Sequence, residues 1–258
     1  MHTYKGYLID LDGTVYRGTE PIPEAIEFVK KLKEKDIPYL YVTNNSTTTP
    51  EKVAERLEGM GAPATAENVL TTSLAAARYI SSQKPGAAVY YIGEEGLKVA
   101  LENEGLIYQE ENPDFVIVGL DRQVTYQKLE KACLAIRAGA RFVSTNSDVA
   151  LSTERGLAPG NGAITALIST STQTSPVFIG KPEAVILEEA LVALKLSKSD
   201  VIMVGDNYHT DILAGLNAGI DTLFVNTGVT SIDELTSFDR KPTYVVHSLS
   251  EWKITSTD

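Results

Sequence analysis

Short apolar runs alternate with amphipathic stretches along almost the whole chain of 258 residues. Residues 7–9 predict a first strand, and Pro23 is well placed to begin the helix that follows. The apolar face of that helix consists of Ile26, Val29 and Leu32. Strands separated by helices form parallel sheets through right-handed crossovers. The strands carry apolar residues on both faces, so the sequence predicts an α/β fold with sheets covered on both sides.

The number of predicted strands is too large for one sheet. Residues 78–177 alone contain three strand–helix units, and small polar stretches with a proline, "SSQKPGA" and "STSTQTSP", mark places where the chain could cross between two domains. We therefore predict a core formed by residues 1–77 and 178–258. A second α/β domain, residues 78–177, is inserted into that core.

Composition disfavours several classes of function. The net charge of -11 argues against binding to a nucleic acid polymer, because a phosphate backbone requires a basic surface. No apolar run approaches the roughly 20 residues that span a bilayer, so we expect no membrane partner. The chain has one cysteine, Cys133, and no basic segment followed by an apolar one at its start, which predicts a cytoplasmic protein. A small phosphorylated metabolite stays compatible, since it needs only local positive groups.

Polar residues follow the predicted strands at the edge where parallel sheets bind ligands. They are Asp10 and Asp12 after the first strand, Thr43, Asn44 and Asn45 after the second, Lys181 before a late helix, and Asp206, Asn207 and Asp211 after "VIMV". Each group alone has an ordinary explanation as a turn or a helix cap. Their occurrence in order, each at a strand end, indicates one common site.

The acids at this edge suit a magnesium site. Mg²⁺ prefers oxygen ligands and usually takes only one or two protein carboxylates. We expect it to bind the side chains of Asp10 and Asp206 and the main-chain carbonyl of Asp12. Asp211 and Asn207 would lie behind these ligands and orient waters or the lysine. A cation in this place would offset the repulsion between Asp10 and Asp12.

A carboxylate beside Mg²⁺ can also attack phosphorus and form an aspartyl-phosphate. Asp10 is the predicted nucleophile. Asp12 is the predicted acid that protonates the leaving oxygen and then the base that takes a proton from water. The non-bridging phosphate oxygens would be held by nearby hydrogen-bond donors, namely Thr43, Asn44, Asn45 and Lys181.

These motifs resemble those of the haloacid dehalogenase superfamily: Asp-x-Asp-Gly-Thr, a Thr or Ser after the second strand, a lysine, and Gly-Asp-x-x-x-x-Asp. The stretches "TNNS" and "GKP" and the long insertion between them are similar to the NagD-like and nitrophenylphosphatase branch, which also includes pyridoxal phosphatase. The resemblance runs over essentially the whole chain. It implies a Rossmann-like core, an inserted α/β cap over the active site and a Mg²⁺-dependent phosphatase. Since dehalogenases of the superfamily lack the acid at Asp12, phosphate chemistry is favoured over halide chemistry.

The same resemblance implies small phosphomonoesters as substrates: sugar phosphates, nucleotides or pyridoxal phosphate, with p-nitrophenyl phosphate as an artificial substrate. Members of the branch often form homodimers through the cap. Two other functions stay open. A phosphomutase or phosphotransferase would share the covalent chemistry, and release of free phosphate in water separates it from a phosphatase. A non-catalytic phosphate-binding module is disfavoured, because a binding site gains little from both Asp10 and Asp12.

Overall fold

The computed structural model describes residues 3–255, and the chain forms two compact units. The first, which we call the core unit, contains the chain up to Thr43, the segment Pro50–Leu70 and the chain from Lys181 onward. The second, which we call the inserted unit, contains Asn44–Thr49 and Thr71–Gly180.

The strands of the described residues are β1 (Gly6–Ile9), β2 (Tyr16–Arg17), β3 (Glu20–Pro21), β4 (Tyr39–Thr43), β5 (Val69–Thr71), β6 (Ala88–Ile92), β7 (Ile107–Tyr108), β8 (Phe115–Val118), β9 (Arg141–Ser144), β10 (Ala150–Thr153), β11 (Gly156–Pro159), β12 (Val177–Phe178), β13 (Val201–Gly205), β14 (Asp221–Val225) and β15 (Tyr244–Val246). The α-helices are α1 (Pro23–Glu34), α2 (Pro50–Gly59), α3 (Thr72–Gln83), α4 (Glu95–Asn103), α5 (Tyr126–Arg137), α6 (Asn161–Thr172), α7 (Val185–Leu194), α8 (Leu213–Ala218) and α9 (Ile232–Leu235). A π-helix spans Tyr208–Ile212, and short 3₁₀ turns span Ala66–Asn68, Lys198–Asp200 and Leu249–Glu251.

A six-stranded sheet in the order β15-β14-β13-β1-β4-β5 forms the centre of the core unit. The pairs β14–β15, β13–β14, β1–β13 and β1–β4 are parallel. Every residue of β1 and β13 is buried, as expected of parallel strands that are covered on both faces. The predicted parallel α/β fold is confirmed.

The first helix follows the sequence pattern closely. Pro23 takes the first position of α1, where its missing N–H leaves no hydrogen bond unmade. The predicted apolar face, Ile26, Val29 and Leu32, is buried in the main hydrophobic cluster of the core unit. None of the described helices is long and apolar enough to cross a bilayer.

A second, five-stranded sheet in the order β12-β9-β8-β6-β7 forms the centre of the inserted unit, and its paired strands are parallel. Helix α5 packs on β6 and β8, where Tyr90, Val116 and Ile136 belong to one buried cluster. The three strand–helix units predicted for this part of the chain are β6–α4, β8–α5 and β9–α6. The prediction of a separate α/β sheet in the insertion is therefore confirmed.

The two hairpins and the shortest strands were not predicted from the sequence pattern. The hairpins β2–β3 and β10–β11 are antiparallel, and β7 and β12 have two residues each. A strand of two residues carries too little alternation to be recognised. The helix predicted near residues 210–218 is present, but it begins as the π-helix and continues as α8.

Candidate active site

Three carboxylates converge at the carboxyl edge of the core sheet. Asp10 follows β1 and Asp206 follows β13, and in these neighbouring strands Ile9 lies opposite Val204. Asp211 belongs to the π-helix that comes next in the chain. One oxygen of each carboxylate lies within 4.8 Å of the others. The parallel strand ends thus bring together acids that are about 200 residues apart in sequence.

A buried lysine joins two of these acids. Lys181 is only 2% exposed, and its Nζ donates hydrogen bonds to Asp10 Oδ1, to Asp211 Oδ1 at 2.7 Å and to the Val42 carbonyl at 3.0 Å. Burial alone would lower the pKa of Lys181, but the charges of the two carboxylates raise it above its usual value. The ammonium therefore stays charged.

The acids themselves lie in an environment that resists ionisation. Burial raises the pKa of Asp10 well above its usual value, and the charge of Asp211 raises it further, against the opposing effect of Lys181. Burial and the charge of Asp211 likewise raise the pKa of Asp206 to about 6, although hydrogen bonds from Val229 and Thr14 oppose the shift. When all three carboxyls are ionised, the cluster carries more negative charge than its one lysine can neutralise.

This donor set fits a divalent metal ion. Carboxylate oxygens are the hard ligands that Mg²⁺ and Ca²⁺ prefer. A divalent cation beside Asp10 and Asp206 would offset the excess negative charge that raises their pKa values. Among the residues that the structure describes, the group that could hold a metal is Asp10, Asp206 and Asp211.

Both oxygens of Asp211 are already engaged by the protein. Oδ1 accepts from Lys181, and Oδ2 accepts the N–H of Asn207 at 3.1 Å. The π-helix permits this arrangement, because the N–H of Ile212 donates to the Asn207 carbonyl five residues earlier. The Asn207 side chain accepts from the N–H of His209 at 2.9 Å and so caps the same turn. This geometry suits Asp211 to holding the lysine.

Asp12 and Thr43 also lie at the carboxyl edge of the core sheet, after β1 and at the end of β4, but neither belongs to the acidic group. The Asp12 side chain is exposed, and its Oδ1 accepts the N–H of Gly18 at 3.2 Å. Thr43 is the last residue of β4, which pairs with β1 on the side opposite β13.

Two glycines leave the space that Asp206 occupies. A Cβ at Gly13 or at Gly228 would collide with the Asp206 carboxylate, and Gly13 also has a φ of +94° that favours glycine. Asp206 Oδ1 accepts from Thr14 Oγ1 at 2.8 Å, and Oδ2 accepts the Val229 N–H at 2.7 Å. Sequence analysis missed Gly228 and Val229. The loop "NTGVT" follows a strand of the same sheet, so the strand-end rule applied to β14 would have identified it.

Asn44 and Asn45 belong to the inserted unit. Asn44 Nδ2 donates to the Asp148 carboxylate at 3.3 Å, and the Asn44 carbonyl accepts from Asn146 Nδ2 at 2.8 Å. Asn45 Oδ1 accepts the N–H of Thr47 at 2.7 Å, which forms a local turn. Contact of these two asparagines with a phosphate stays a prediction.

Comparisons with known proteins agree with this geometry. A family model described as haloacid dehalogenase-like hydrolase matches residues 7–107, and a second HAD-hydrolase-like model matches residues 178–252. The chain is 57% identical to the 5'-nucleotidase YutF of Bacillus subtilis over 98% of both chains. It is 55% identical to an acid sugar phosphatase of Staphylococcus haemolyticus, covering 97% of this chain and 95% of that one. It is also similar to the crystal structure of a double mutant of a thermostable NPPase from Geobacillus stearothermophilus, with 55% identity and a TM-score of 0.93 over 99% of this chain and 100% of that one.

Proposed function

Since the chain belongs to the haloacid dehalogenase-like hydrolases, in the group of NagD and the p-nitrophenylphosphatases, it is a phosphatase of small phosphomonoesters, and we propose that Asp10 carries the phosphoryl group during turnover. The observation that carries this proposal is the contact of buried Lys181 with Asp10 beside two further acids. A site that only bound phosphate would gain nothing from three carboxylates, because they repel the anion.

In the first step, an oxygen of Asp10 forms a bond to phosphorus while the bond from phosphorus to the leaving oxygen breaks. Lys181 contacts Oδ1 of Asp10, which leaves Oδ2 as the attacking atom. The fixed ammonium holds the carboxylate in one orientation, and this removes part of the entropic barrier. Its charge also favours the ionised form of a nucleophile whose pKa is raised by burial.

Asp12 is the proposed acid and base. It donates a proton to the leaving oxygen in the first step and takes a proton from the water that breaks the bond between Asp10 and phosphorus in the second step. Its exposed side chain suits contact with a leaving group and with water.

Mg²⁺ is the proposed metal. The side chains of Asp10 and Asp206 and the main-chain carbonyl of Asp12 would hold it, and when bound it supplies positive charge to the phosphoryl oxygens. Thr14 and Val229 hold both oxygens of Asp206 in place before any ligand arrives. Behind these ligands, Asp211 and Asn207 keep Lys181 oriented.

The phosphoryl oxygens would be bound by the donors at the ends of β4 and before α7, namely Thr43, Asn44, Asn45 and Lys181. Position along the chain supports this assignment, because Thr43 ends the strand next to β1. We propose nucleotides or sugar phosphates as substrates, since similar proteins are named 5'-nucleotidase and acid sugar phosphatase. Pyridoxal phosphate is the third class that the family resemblance implies.

Residues 78–177 are the proposed cap that selects among these substrates. The core motifs are proposed to bind the metal and the phosphoryl group of the substrate. Every candidate substrate has a phosphoryl group, so discrimination among the substrates requires another element. A cytoplasmic location and a homodimer formed through the cap stay predictions from the sequence.

Release of inorganic phosphate tests the proposed mechanism. The assay compares nucleoside monophosphates, sugar phosphates, pyridoxal phosphate and p-nitrophenyl phosphate, with Mg²⁺ and with excess EDTA. Asp10→Asn should lower kcat about 10³-fold or more, because an amide oxygen is a poor nucleophile. Asp239→Asn, at an exposed position, should leave kcat unchanged.

Two results would contradict the mechanism. The covalent step fails if Asp10→Asn keeps more than about a tenth of the wild-type kcat. Transfer of the phosphoryl group to another hydroxyl without release of phosphate would instead identify a phosphomutase or a phosphotransferase.

A further inference from the structure

The hairpin β2–β3 lies directly after the Asp12 motif. In this hairpin Tyr16 pairs with Pro21 and Arg17 pairs with Glu20, so that Gly18 stands in the turn. Gly18 has a φ of +57°, a left-handed conformation that the tight turn requires.

The turn contacts the proposed acid and base directly. The Gly18 N–H donates to Asp12 Oδ1 at 3.2 Å, a bond that spans six residues of sequence. In a protonated carboxyl the carbonyl oxygen is the stronger hydrogen-bond acceptor and the hydroxyl oxygen the weaker one. The bond from Gly18 to Oδ1 therefore favours Oδ2 of Asp12 as the oxygen that carries the transferable proton.

Arg56, an exposed residue of α2, holds the other side of the same glycine. Its guanidinium donates to the Gly18 carbonyl and lies 4.4 Å from the centre of the Tyr16 ring. Tyr16 is buried in the main hydrophobic cluster of the core unit, so its ring provides a fixed surface for the cation. Gly18 is thus held at both polar groups, by Asp12 on its N–H and by Arg56 on its carbonyl.

We propose that Arg56 is a positioning residue for catalysis, which acts through Gly18 to fix which oxygen of Asp12 donates the proton. This inference rests on the proposed acid and base role of Asp12. Loss of Arg56 would free the Gly18–Thr19 peptide, and the flexible glycine backbone would then hold its own N–H less firmly. The Asp12 carboxyl would lose its preferred orientation. The hairpin itself would remain, because Arg17 still donates to the Thr227 carbonyl from the neighbouring position.

A comparison of leaving groups tests the proposal. Proton transfer to the leaving oxygen matters most for an alkoxide and least for nitrophenolate, because nitrophenolate is a stable anion. Misplacement of a reacting group by about 1 Å can cost about 10²-fold in rate. We expect Arg56→Ala to lower kcat about tenfold to 10²-fold on an alkyl phosphate and less than about threefold on p-nitrophenyl phosphate. Arg56→Lys, which keeps one cationic donor, should recover part of the loss.

Arg137→Ala is the matched control. Arg137 also donates a guanidinium hydrogen bond to a backbone carbonyl, that of Ser171 in the inserted unit. Its removal should change kcat on the two substrates by the same small factor. If Arg56→Ala also lowers kcat equally on both substrates, its effect is a general loss of structure and the proposal is wrong.

A double-mutant cycle separates this inference from the mechanism on which it rests. In the Asp12→Asn background, Arg56→Ala should produce no further loss on the alkyl phosphate, because the group that it positions is gone. A full additional loss would show that Arg56 acts elsewhere. If Asp12→Asn alone shows no dependence on the leaving group, the role proposed for Asp12 itself is wrong.

Discussion

Replacement of Lys181 by methionine should destabilise the core unit strongly at neutral pH. Lys181→Met keeps a side chain of similar length but removes the charge that contacts Asp10 and Asp211 and the donor to the Val42 carbonyl. Removing one partner of a buried ion pair costs about 3–5 kcal/mol. A protein of about 150–250 residues loses about 2–4 °C of melting temperature for each kcal/mol, so we expect a decrease of about 6–20 °C at pH 7.

The loss should be smaller at pH 5. Without the ammonium, the pKa of the buried Asp10 carboxyl rises further above its value in the unfolded chain. The contribution of Asp10 to stability is then largest at low pH and is lost as the pH rises, because the folded protein binds a proton that the unfolded chain releases. Lys181→Met should therefore recover part of its melting temperature on acidification.

The assay is thermal unfolding in EDTA at pH 5 and pH 7. Lys198→Met is the matched control, since Lys198 lies 3.7 Å from Glu188 in an ion pair that is about half exposed. Such a surface pair contributes about 0–1 kcal/mol, so the control should lower the melting temperature by less than about 4 °C. The reasoning is refuted if Lys181→Met melts within about 2 °C of the wild type at pH 7. It is refuted equally if the loss is the same at both pH values.

Three further outcomes are expected. Because burial raises the pKa of Asp206 from 3.8 to about 6, the melting temperature in EDTA should fall as the pH rises through that interval. Mg²⁺ should raise the melting temperature more at pH 7 than at pH 5. A melting temperature that does not change with pH in scanning fluorimetry would contradict this prediction. Gly228→Ala should raise the Mg²⁺ concentration needed for half-maximal activity, since its Cβ collides with the Asp206 carboxylate, whereas Gly59→Ala, which meets no neighbour, should not. Ca²⁺ should inhibit phosphate release in competition with Mg²⁺, because Ca²⁺ prefers more ligands at longer distances. Full activity with Ca²⁺ alone would show that the metal site does not require octahedral geometry.

Much of the fold and of the acidic cluster could be predicted because both depend on long, regular elements. Strands such as β1 and β13 are continuous apolar runs, and the parallel connection places their carboxyl ends at one edge. Asp10 and Asp206 directly follow those runs, so their meeting was predicted from strand position alone. Lys181 could be placed at the same edge, although its contacts with two acids and with the Val42 carbonyl could not.

The remaining features depend on irregular backbone, which carries a weak sequence signal. The turn of Gly18 follows a strand of two residues, and the π-helix that brings Asp211 to Lys181 has the same composition as an ordinary helix start. Val229 contributes only its backbone N–H to Asp206, and any residue type except proline has that group. Side-chain patterns could not have identified it.

The order of strands in the core sheet has a consequence for synthesis of the chain. One edge of β1 pairs with β4, which follows it closely in the chain. The other edge pairs with β13, which is synthesised much later, and there Val201 lies opposite Gly6. At about 5–20 residues per second, roughly 10–40 s separate the appearance of these two residues on the ribosome. During that interval most of the inserted unit, Thr71–Gly180, is already available to fold, while β1 keeps an open edge that could pair with another chain. Asp206 and Asp211 follow β13 in the chain, so the acidic group that they form with Asp10 assembles only after this interval, together with the central sheet.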